Sequence, residues 1–264
     1  MSQVPRTKGA LTLSSKALSQ GSGIDRFRTS GAMKALFTRS SDVQAILINT
    51  SGGLTGGDKI DLECVAGADS KLTLTTQAAE RAYRAQSGQA EMHSRLTVET
   101  GATLEWLPQE LILFEGSALS RSLHIDLAQD ARLLVVEPVV FGRAAMGETL
   151  QNIQFKDRIR IHREGAPLYL DGLDLNGDSV AHLARRATGQ GAGAMASLIY
   201  VAPNAEAMLG PLRADLPALG GASLLQPDVL VLRVVAADSF ELRKSLLPVL
   251  DRLTRNCLPT SWRL

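Results

Sequence analysis

The chain has 264 residues, of which 45% are apolar types and 21% are charged, a balance typical of soluble globular proteins. Its 28 basic and 27 acidic side chains leave a formal charge of +1, which argues against a nucleic-acid partner because such binding depends on a basic surface. Aromatic residues make up only 4% of the chain, so stacking platforms for bases or sugars are not expected.

The cysteine content and the N-terminus indicate a cytoplasmic protein. Cys64 and Cys257 are too few for a secreted disulfide scaffold, and we expect both to be reduced thiols. Residues 1–16 contain no continuous apolar segment of the kind that signal peptides have. No apolar run approaches the about 20 residues of a membrane span, so no membrane partner is expected.

The N-terminal part of the chain differs in composition from the rest. Residues 1–22 are rich in Ser, Lys, Gln and Gly, and we predict a flexible N-terminal arm there. Residues 23–264 are predicted to form a single β-rich domain. From 42 to 140, short runs with β-branched residues and period-2 alternation follow one another, separated by turns that contain Gly or Asp.

A sequence pattern recurs within this strand-rich region, and we call it the internal echo. Three segments each have a strand, a short turn and a second strand, and their turns contain Gly67-Ala68, Gly101-Ala102 and Asp130-Ala131. The alanines are 34 and 29 residues apart, which suggests stacked β layers without a strict repeat. We therefore predict a mainly β protein with a layered or superhelical antiparallel β-body; a plain sandwich is the alternative.

About two or three short helices are expected, including one near the C-terminus. Asp238 and Glu241 have the spacing of a capping box before an amphipathic segment, and Pro248 inside that segment predicts a kink or a break. The candidate helices are 78–85, 204–213 and 238–257.

The glycine-rich segment 52–58 (GGLTGGD) does not fit a phosphate-binding loop. A P-loop needs Lys and Ser or Thr after its last glycine, whereas Asp58 follows Gly57 and would repel a phosphate. The segment instead presents Thr55 and Asp58 between two strands. Asp58 either contributes to a functional site or caps its own turn.

Metal-cage and hydrolase motifs are not found. The four histidines, His93, His124, His162 and His182, are far apart in the sequence, and no Cys-x-x-Cys or His-Glu-x-x-His is present. No Gly-x-Ser-x-Gly elbow supports a Ser-His-Asp hydrolase.

Polar and charged side chains interrupt strand-like, otherwise apolar segments. Charges in such surroundings are costly to desolvate unless they are paired or face water. Two interpretations stay open: a structural Arg–Glu network, or a water-filled passage or partner surface lined by carboxylates. The residues concerned are Gln77, Glu80, Arg84, Glu105, Gln109, Glu110, Glu137, Arg143 and Glu148.

Four blocks in the same order carry a resemblance to a known family. They are GGLTGGD at 52–58, LTTQAAE at 74–80 followed by Tyr83-Arg84, LEWLPQE at 104–110 and GRAAMGE at 142–148. Together they resemble the urease accessory protein UreD, called UreH in some bacteria. The C-terminal third resembles the family in the types of its residues more than in identical residues. Its ending, Pro259-Thr260-Ser261-Trp262, is a looser form of the family's Pro-Arg-x-Trp ending.

The resemblance implies a urease maturation factor without enzymatic activity. It implies a cytoplasmic scaffold or chaperone that binds apo-urease, a helical UreF-like protein and a UreG-like GTPase and helps to deliver nickel to the urease active site. It also implies a helix-poor, layered β superhelix. No catalytic residue and no tightly bound cofactor are expected; Ni²⁺ would be present only transiently.

Weak, oxygen-rich sites suit the transient handling of Ni²⁺, because a His/Cys cage would hold this ion too tightly for release. As a hypothesis, the carboxylates that line or shape a nickel passage are Asp58, Glu80, Glu105, Glu110 and Glu148. The polar residues that support it are Thr55, Gln77, Arg84, Gln109 and Arg143.

Two other functions remain open. A β-rich carbohydrate-active enzyme could use Glu105 and Glu110 as a carboxylate pair, although the scarcity of aromatic residues weakens this interpretation. A plain protein-binding adaptor is the other alternative. The helix after Asp238 and the loop 138–146 are candidate docking surfaces.

Overall fold

The computed structural model describes residues 5–143 and 146–263. Its strands, in chain order, are β1 (Lys8–Ala17), β2 (Ser22–Gly31), β3 (Met33–Phe37), β4 (Val43–Asn49), β5 (Lys59–Ala66), β6 (Lys71–Thr76), β7 (Glu80–Ala82), β8 (Ala90–Val98), β9 (Thr103–Leu107), β10 (Leu111–Leu113), β11 (Ala118–Leu127), β12 (Arg132–Phe141), β13 (Ile153–Arg163), β14 (Ala166–Gly177), β15 (Ala194–Val201), β16 (Gly220–Gln226) and β17 (Val229–Ala236).

The strands form two sheets. Sheet I has seven strands in the order β14-β13-β11-β8-β5-β1-β2. Sheet II has the order β16-β17-β15-β12-β9-β6-β4-β3, with the short strands β7 and β10 attached through β12. The chain crosses repeatedly from one sheet to the other, so that β5, β8 and β11 lie in sheet I while β6, β9 and β12 lie in sheet II. This arrangement confirms the predicted layered, mainly β architecture.

The central strands run parallel, which differs from the expected antiparallel body. The pairs β5–β8 and β8–β11 in sheet I and β6–β9 and β9–β12 in sheet II are all parallel. Each turn of the coil adds one strand to each sheet in the same direction, so neighbouring strands must be parallel. Antiparallel pairs occur towards the ends of the coil, as in β1–β2 and β13–β14.

The turns of the internal echo stack on one another. The N–H of Asp69 donates to the carbonyl of Thr100, and the N–H of Gly101 donates to Asp130 Oδ1 at 3.0 Å. The strand register aligns Gly101-Ala102 with Asp130-Ala131, as the sequence suggested, but with Asp69-Ser70 rather than Gly67-Ala68. The reason is that Asp69 takes the positive φ (57°) that Gly101 has in the next turn (68°).

Two apolar cores hold the layers together. Alternate residues of the strands point inwards, as in β5, and the larger core fills the space between the sheets. A second core lies between the other face of sheet II and two helices, α2 (Ala205–Asp215) and α3 (Ser239–Leu253). A short helix, α1 (Ser179–Ala184), and a 3₁₀ helix, Thr260–Arg263, complete the described elements.

The helix near the C-terminus is confirmed. Asp238 caps α3 by accepting a hydrogen bond from the N–H of Glu241 at 2.9 Å. The helix continues through Pro248 and ends at Leu253, before the predicted end at Cys257. Leu246, Val249 and Leu250 are buried around the proline, so packing holds this part of the helix in place. None of the helices in the described ranges has the length and apolar character that a membrane crossing requires.

Two predicted segments differ from the structure. Residues 78–85 contain β7 instead of a helix, because β7 pairs with β10 and tertiary pairing outweighs the weak helical preference of so short a segment. Within the predicted N-terminal arm, β1 lies between β2 and β5 and buries Leu11 and Leu13. Residues 1–4 of that arm lie outside the described residues.

Candidate functional site

An internal cavity of about 160 Å³ lies between the two sheets, and we call it the inter-sheet cavity. Exposed Gln77 and half-buried Glu80, beside the end of β6, line it towards the surface. Buried Gln109 and Glu137 line it in the interior, together with Arg121, whose side chain is 11% exposed. The cavity therefore joins a polar rim to charged groups within the apolar core.

A buried ionic cluster, which we call the buried triad, lies at the inner end of this cavity and consists of Arg121, Glu137 and Asp157. Arg121 on β11 donates to Asp157 on the neighbouring β13 through Nε and Nη2, at 3.0 and 2.6 Å. Its Nη1 lies 2.5 Å from Glu137 Oε2 on β12 of the opposite sheet. Trp106 Nε1 donates to Glu137 Oε1 at 2.6 Å.

The triad has one cation for two carboxylates, so its formal charge is −1 when all three groups are ionised. Burial lowers the pKa of Arg121, but Asp157 and Glu137 raise it by more, and the guanidinium stays charged. Burial raises the pKa of Glu137, and Arg121 only partly offsets this effect. A proton or a cation bound at Glu137 would therefore balance the excess negative charge of the triad.

A second, smaller cavity of about 40 Å³ lies on the other side of the triad. Glu137 and Asp157 line it at one end, and Asp171 and Arg233, which form an ion pair, line it as well. Because Glu137 lines both cavities, carboxylates follow one another from Glu80 through the triad to Asp171.

Glu80 is the predicted passage residue that lines the inter-sheet cavity, together with its predicted neighbours Gln77 and Gln109. Asn49 Nδ2 donates to Glu80 Oε2 at 3.1 Å. Burial raises the pKa of Glu80, and the hydrogen bond from Asn49 partly opposes the shift. Gln109 Nε2 is buried and has no hydrogen-bond partner among the described residues. The wall of the inter-sheet cavity therefore contains an amide donor that is free to bind water.

Glu110 anchors the C-terminal helix layer. Arg243 of α3 donates to both carboxylate oxygens of Glu110, at 3.2 and 3.1 Å, and also to Gln109 Oε1. The same guanidinium donates to the carbonyl of Trp262 at 2.9 Å and lies over its ring. In this structure Glu110 is thus paired on the helix side.

Glu105 points to the face of sheet II that the helices cover, away from the inter-sheet cavity. It accepts from Thr73 Oγ1 at 2.7 Å and forms an ion pair with Lys71 at 2.8 Å. It lines a separate cavity beside the end of α3 with Lys71 and Thr254. Glu105 and Glu110 are therefore held by different cations.

Asp58 and Glu148 lie in loops away from the triad. Asp58 is buried and accepts from the N–H groups of Thr7 and Thr55, at 2.7 and 2.8 Å, which fits the turn-capping alternative. Thr55 Oγ1 in turn donates to the carbonyl of Arg84 at 2.8 Å.

Glu148 accepts two hydrogen bonds from the Arg143 guanidinium, each 3.0 Å long. These bonds lower the pKa of Glu148. Arg143 also lies 4.3 Å from the centre of the Phe114 ring, which fixes this edge of the molecule. Ala144 and Ala145, which belong to the fourth motif, lie outside the described residues.

The sequence reasoning missed Arg121 and Asp157 and left Glu137 out of the proposed passage. A signal was available in the strand alternation. Arg121 occupies the position between Leu119 and Leu123 that points inwards, and Asp157 has the same setting between Phe155 and Ile159. A charged residue at an inward position is the pattern that predicts a buried ionic cluster.

Comparisons with known proteins agree with the motifs. A family model described as "UreD urease accessory protein" matches residues 7–263. The "Urease accessory protein UreD" of Roseobacter denitrificans is 54% identical over 98% of this chain and 96% of that protein. The proteins of the same name from Ruegeria sp. (strain TM1040) and Rhizobium etli are 52% and 43% identical, over 99% and 98% of this chain and 92% and 96% of their own length. The chain belongs to the UreD family of urease accessory proteins.

Proposed function

We propose that this chain is a non-catalytic scaffold in urease maturation and that it guides Ni²⁺ between its two sheets on the way to apo-urease. Membership of the UreD family supports a role in urease maturation. The observation that carries the nickel passage is the buried triad, whose formal charge of −1 lies between two cavities. Oxygen ligands with room for water suit an ion that must be released again.

The passage runs from Gln77 and Glu80 at the rim, along the inter-sheet cavity to Glu137, and from there to Asp171. At each point, carboxylate oxygens would replace part of the hydration shell of the ion, and water would keep the remaining positions. Arg121, which Asp157 holds by two hydrogen bonds, forms an ion pair with Glu137, and Trp106 Nε1 donates to the other oxygen of Glu137. These contacts fix Glu137 where it lines both cavities. Of the carboxylates proposed from the sequence, Glu80 has the strongest structural support. Asp58, Glu105, Glu110 and Glu148 keep their proposed nickel role with less support.

The partners of the scaffold are proposed to be apo-urease, a UreF-like helical protein and, through the complex, a UreG-like GTPase. Exposed apolar side chains support docking of other proteins. Phe240 of α3 is 71% exposed and Met146 is 73% exposed, whereas Val139 and Val140 are buried in β12. Of the two candidate docking surfaces, α3 and the Met146 end of the loop 138–146 are thus accessible.

The carbohydrate-enzyme alternative has less support, since Lys71 and Arg243 engage Glu105 and Glu110 separately. Co-purification tests the scaffold: the chain should retain apo-urease and the UreF-like protein through washing in moderate salt. If the chain retains neither partner, the scaffold role is wrong.

Nickel analysis of urease tests the passage. Glu80→Gln and Glu137→Gln keep the side-chain shape but remove the charge, and both should lower the nickel content of urease matured with the variant chain. Glu63→Gln, on the exposed face of β5, is the matched control and should leave it unchanged. Full nickel loading by both variants in intact complexes would contradict the passage.

A further inference from the structure

Three of the four histidines lie on the outer face of sheet I, which points away from sheet II. They are His93 on β8, His124 on β11 and His162 on β13. The rings of His124 and His162 are 4.9 Å apart between centroids. Asp126 follows His124 on the same face and lies opposite His162 in the strand register.

These side chains point their ligand atoms at a common centre. His124 Nε2 lies 3.2 Å from Asp126 Oδ1, and His162 Nδ1 lies 3.9 Å from the same oxygen. One ligand atom from each of the three residues lies within 4.8 Å of the other two. A metal ion with bonds of about 2.1 Å needs neighbouring ligand atoms about 3 to 3.5 Å apart, so small rotations of the rings are sufficient.

His162 provides an independent sign that a ligand belongs here. Its Nδ1 is shielded from solvent and has no hydrogen-bond partner within the described part of the chain. A buried nitrogen that lacks a hydrogen bond is unfavourable, and a bound cation would use its lone pair. Its distance from Asp126 is too long for a hydrogen bond, so Asp126 alone does not satisfy it.

The surroundings limit the strength of binding. Arg95 and Arg160 flank His124 in the strand register, and their charges weaken the attraction for a cation. Hard ions such as Mg²⁺ prefer all-oxygen sites, whereas two imidazoles favour late first-row metals. We therefore expect a moderate affinity and a preference for late first-row metals.

We propose that His124, Asp126 and His162 form a surface site for a late first-row divalent metal ion such as Ni²⁺ or Zn²⁺. Two imidazole nitrogens and one carboxylate oxygen occupy one side of the ion, and water occupies the other. The ligands come from two neighbouring strands, which is why no contiguous metal motif appears in the sequence. The site lies on the opposite face of sheet I from the inter-sheet cavity and does not depend on the passage.

Calorimetric titration of the full-length chain without a histidine tag, with NiCl₂ as the probe, tests the site. The wild type should show one Ni²⁺ site that is lost, or weakened by about 10- to 100-fold, in His124→Ala and in His162→Ala but is kept in Glu137→Gln, whatever weaker binding the passage adds. His182→Ala, on α1 and outside the site, is the matched control and should bind as the wild type does. NiCl₂ should also raise the thermal unfolding midpoint of the wild type by more than that of the double histidine variant.

Two results would overturn the site. One is that the wild-type chain binds no Ni²⁺ or Zn²⁺ at millimolar concentration. The other is that the double histidine variant keeps the wild-type stoichiometry and affinity. The nickel content of urease matured with Glu137→Gln tests the passage, whereas titration of the histidine variants tests the surface site. The two proposals can therefore fail independently.

Discussion

At the scale of single residues, the buried triad shows what the sequence could and could not predict. Strand alternation was sufficient to place Arg121 and Asp157 on inward-facing positions. Their pairing was not predictable, because 36 residues separate them and the contact depends on the register between β11 and β13. Glu80 could be proposed as a passage residue because it lies within a recognisable motif, and it lines the inter-sheet cavity.

Replacement of Arg121 by Met should destabilise the fold strongly. It leaves Glu137 and Asp157 buried without their cation, and loss of one partner from a buried pair costs about 3 to 5 kcal/mol. Urea unfolding measures the free energy of unfolding. Arg160→Met, on the exposed face of β13, is the matched control and should change it by no more than about 0.5 kcal/mol. Equal effects of the two substitutions would show that the triad is not structurally important.

The Glu148–Arg143 pair predicts a dependence of stability on pH. Hydrogen bonds from Arg143 hold the folded-state pKa of Glu148 below its ordinary value of 4.5, so the unfolded chain takes up the proton first as the pH falls. The contribution of the pair to stability is therefore fully present above about pH 4.5 and is lost as the pH falls through the folded-state pKa.

Unfolding curves of the wild type and of Glu148→Gln measure this effect. The wild type should be the more stable protein above pH 4.5, and the difference should shrink below it. A difference that grows on acidification would contradict the assignment.

At the scale of elements, local patterns predicted most strands between residues 42 and 140 but not their direction. Period-2 alternation is the same for parallel and antiparallel strands, so only the order of the sheets could reveal the coil. The segment 78–85 has helix-forming residues, yet its central part forms β7 because it pairs with β10. The capped helix α3 was predictable because its start signal and its amphipathic pattern agree.

The stacked turns predict different costs for two glycine substitutions. Gly101 has a φ of 68°, and an added Cβ would lie 2.1 Å from Asp69 Oδ1 in the adjacent turn. Gly165 has a similar φ of 74°, with nothing within 4 Å of the added Cβ. Gly165→Ala should therefore cost only the backbone strain of about 1 kcal/mol, and Gly101→Ala clearly more. Thermal unfolding compares them, and equal losses would show that the turns do not pack as described.

At the scale of the whole molecule, the coil explains how a member of this family can carry charged groups in its interior. Two sheets built by one winding chain leave a space between them, and inward positions of β11, β12 and β13 place charges in that space. Apolar side chains of the larger core fill the rest of the space between the sheets. The helices cover sheet II, while the outer face of sheet I carries the histidines.

The most direct measurement of the nickel passage is anomalous diffraction at the nickel absorption edge from crystals of the chain soaked in NiCl₂. A peak between the sheets, within bonding distance of Glu137 and absent from crystals of Glu137→Gln, is the predicted result. Nickel found only on the outer surfaces of the protein, with none between the sheets, would contradict the account.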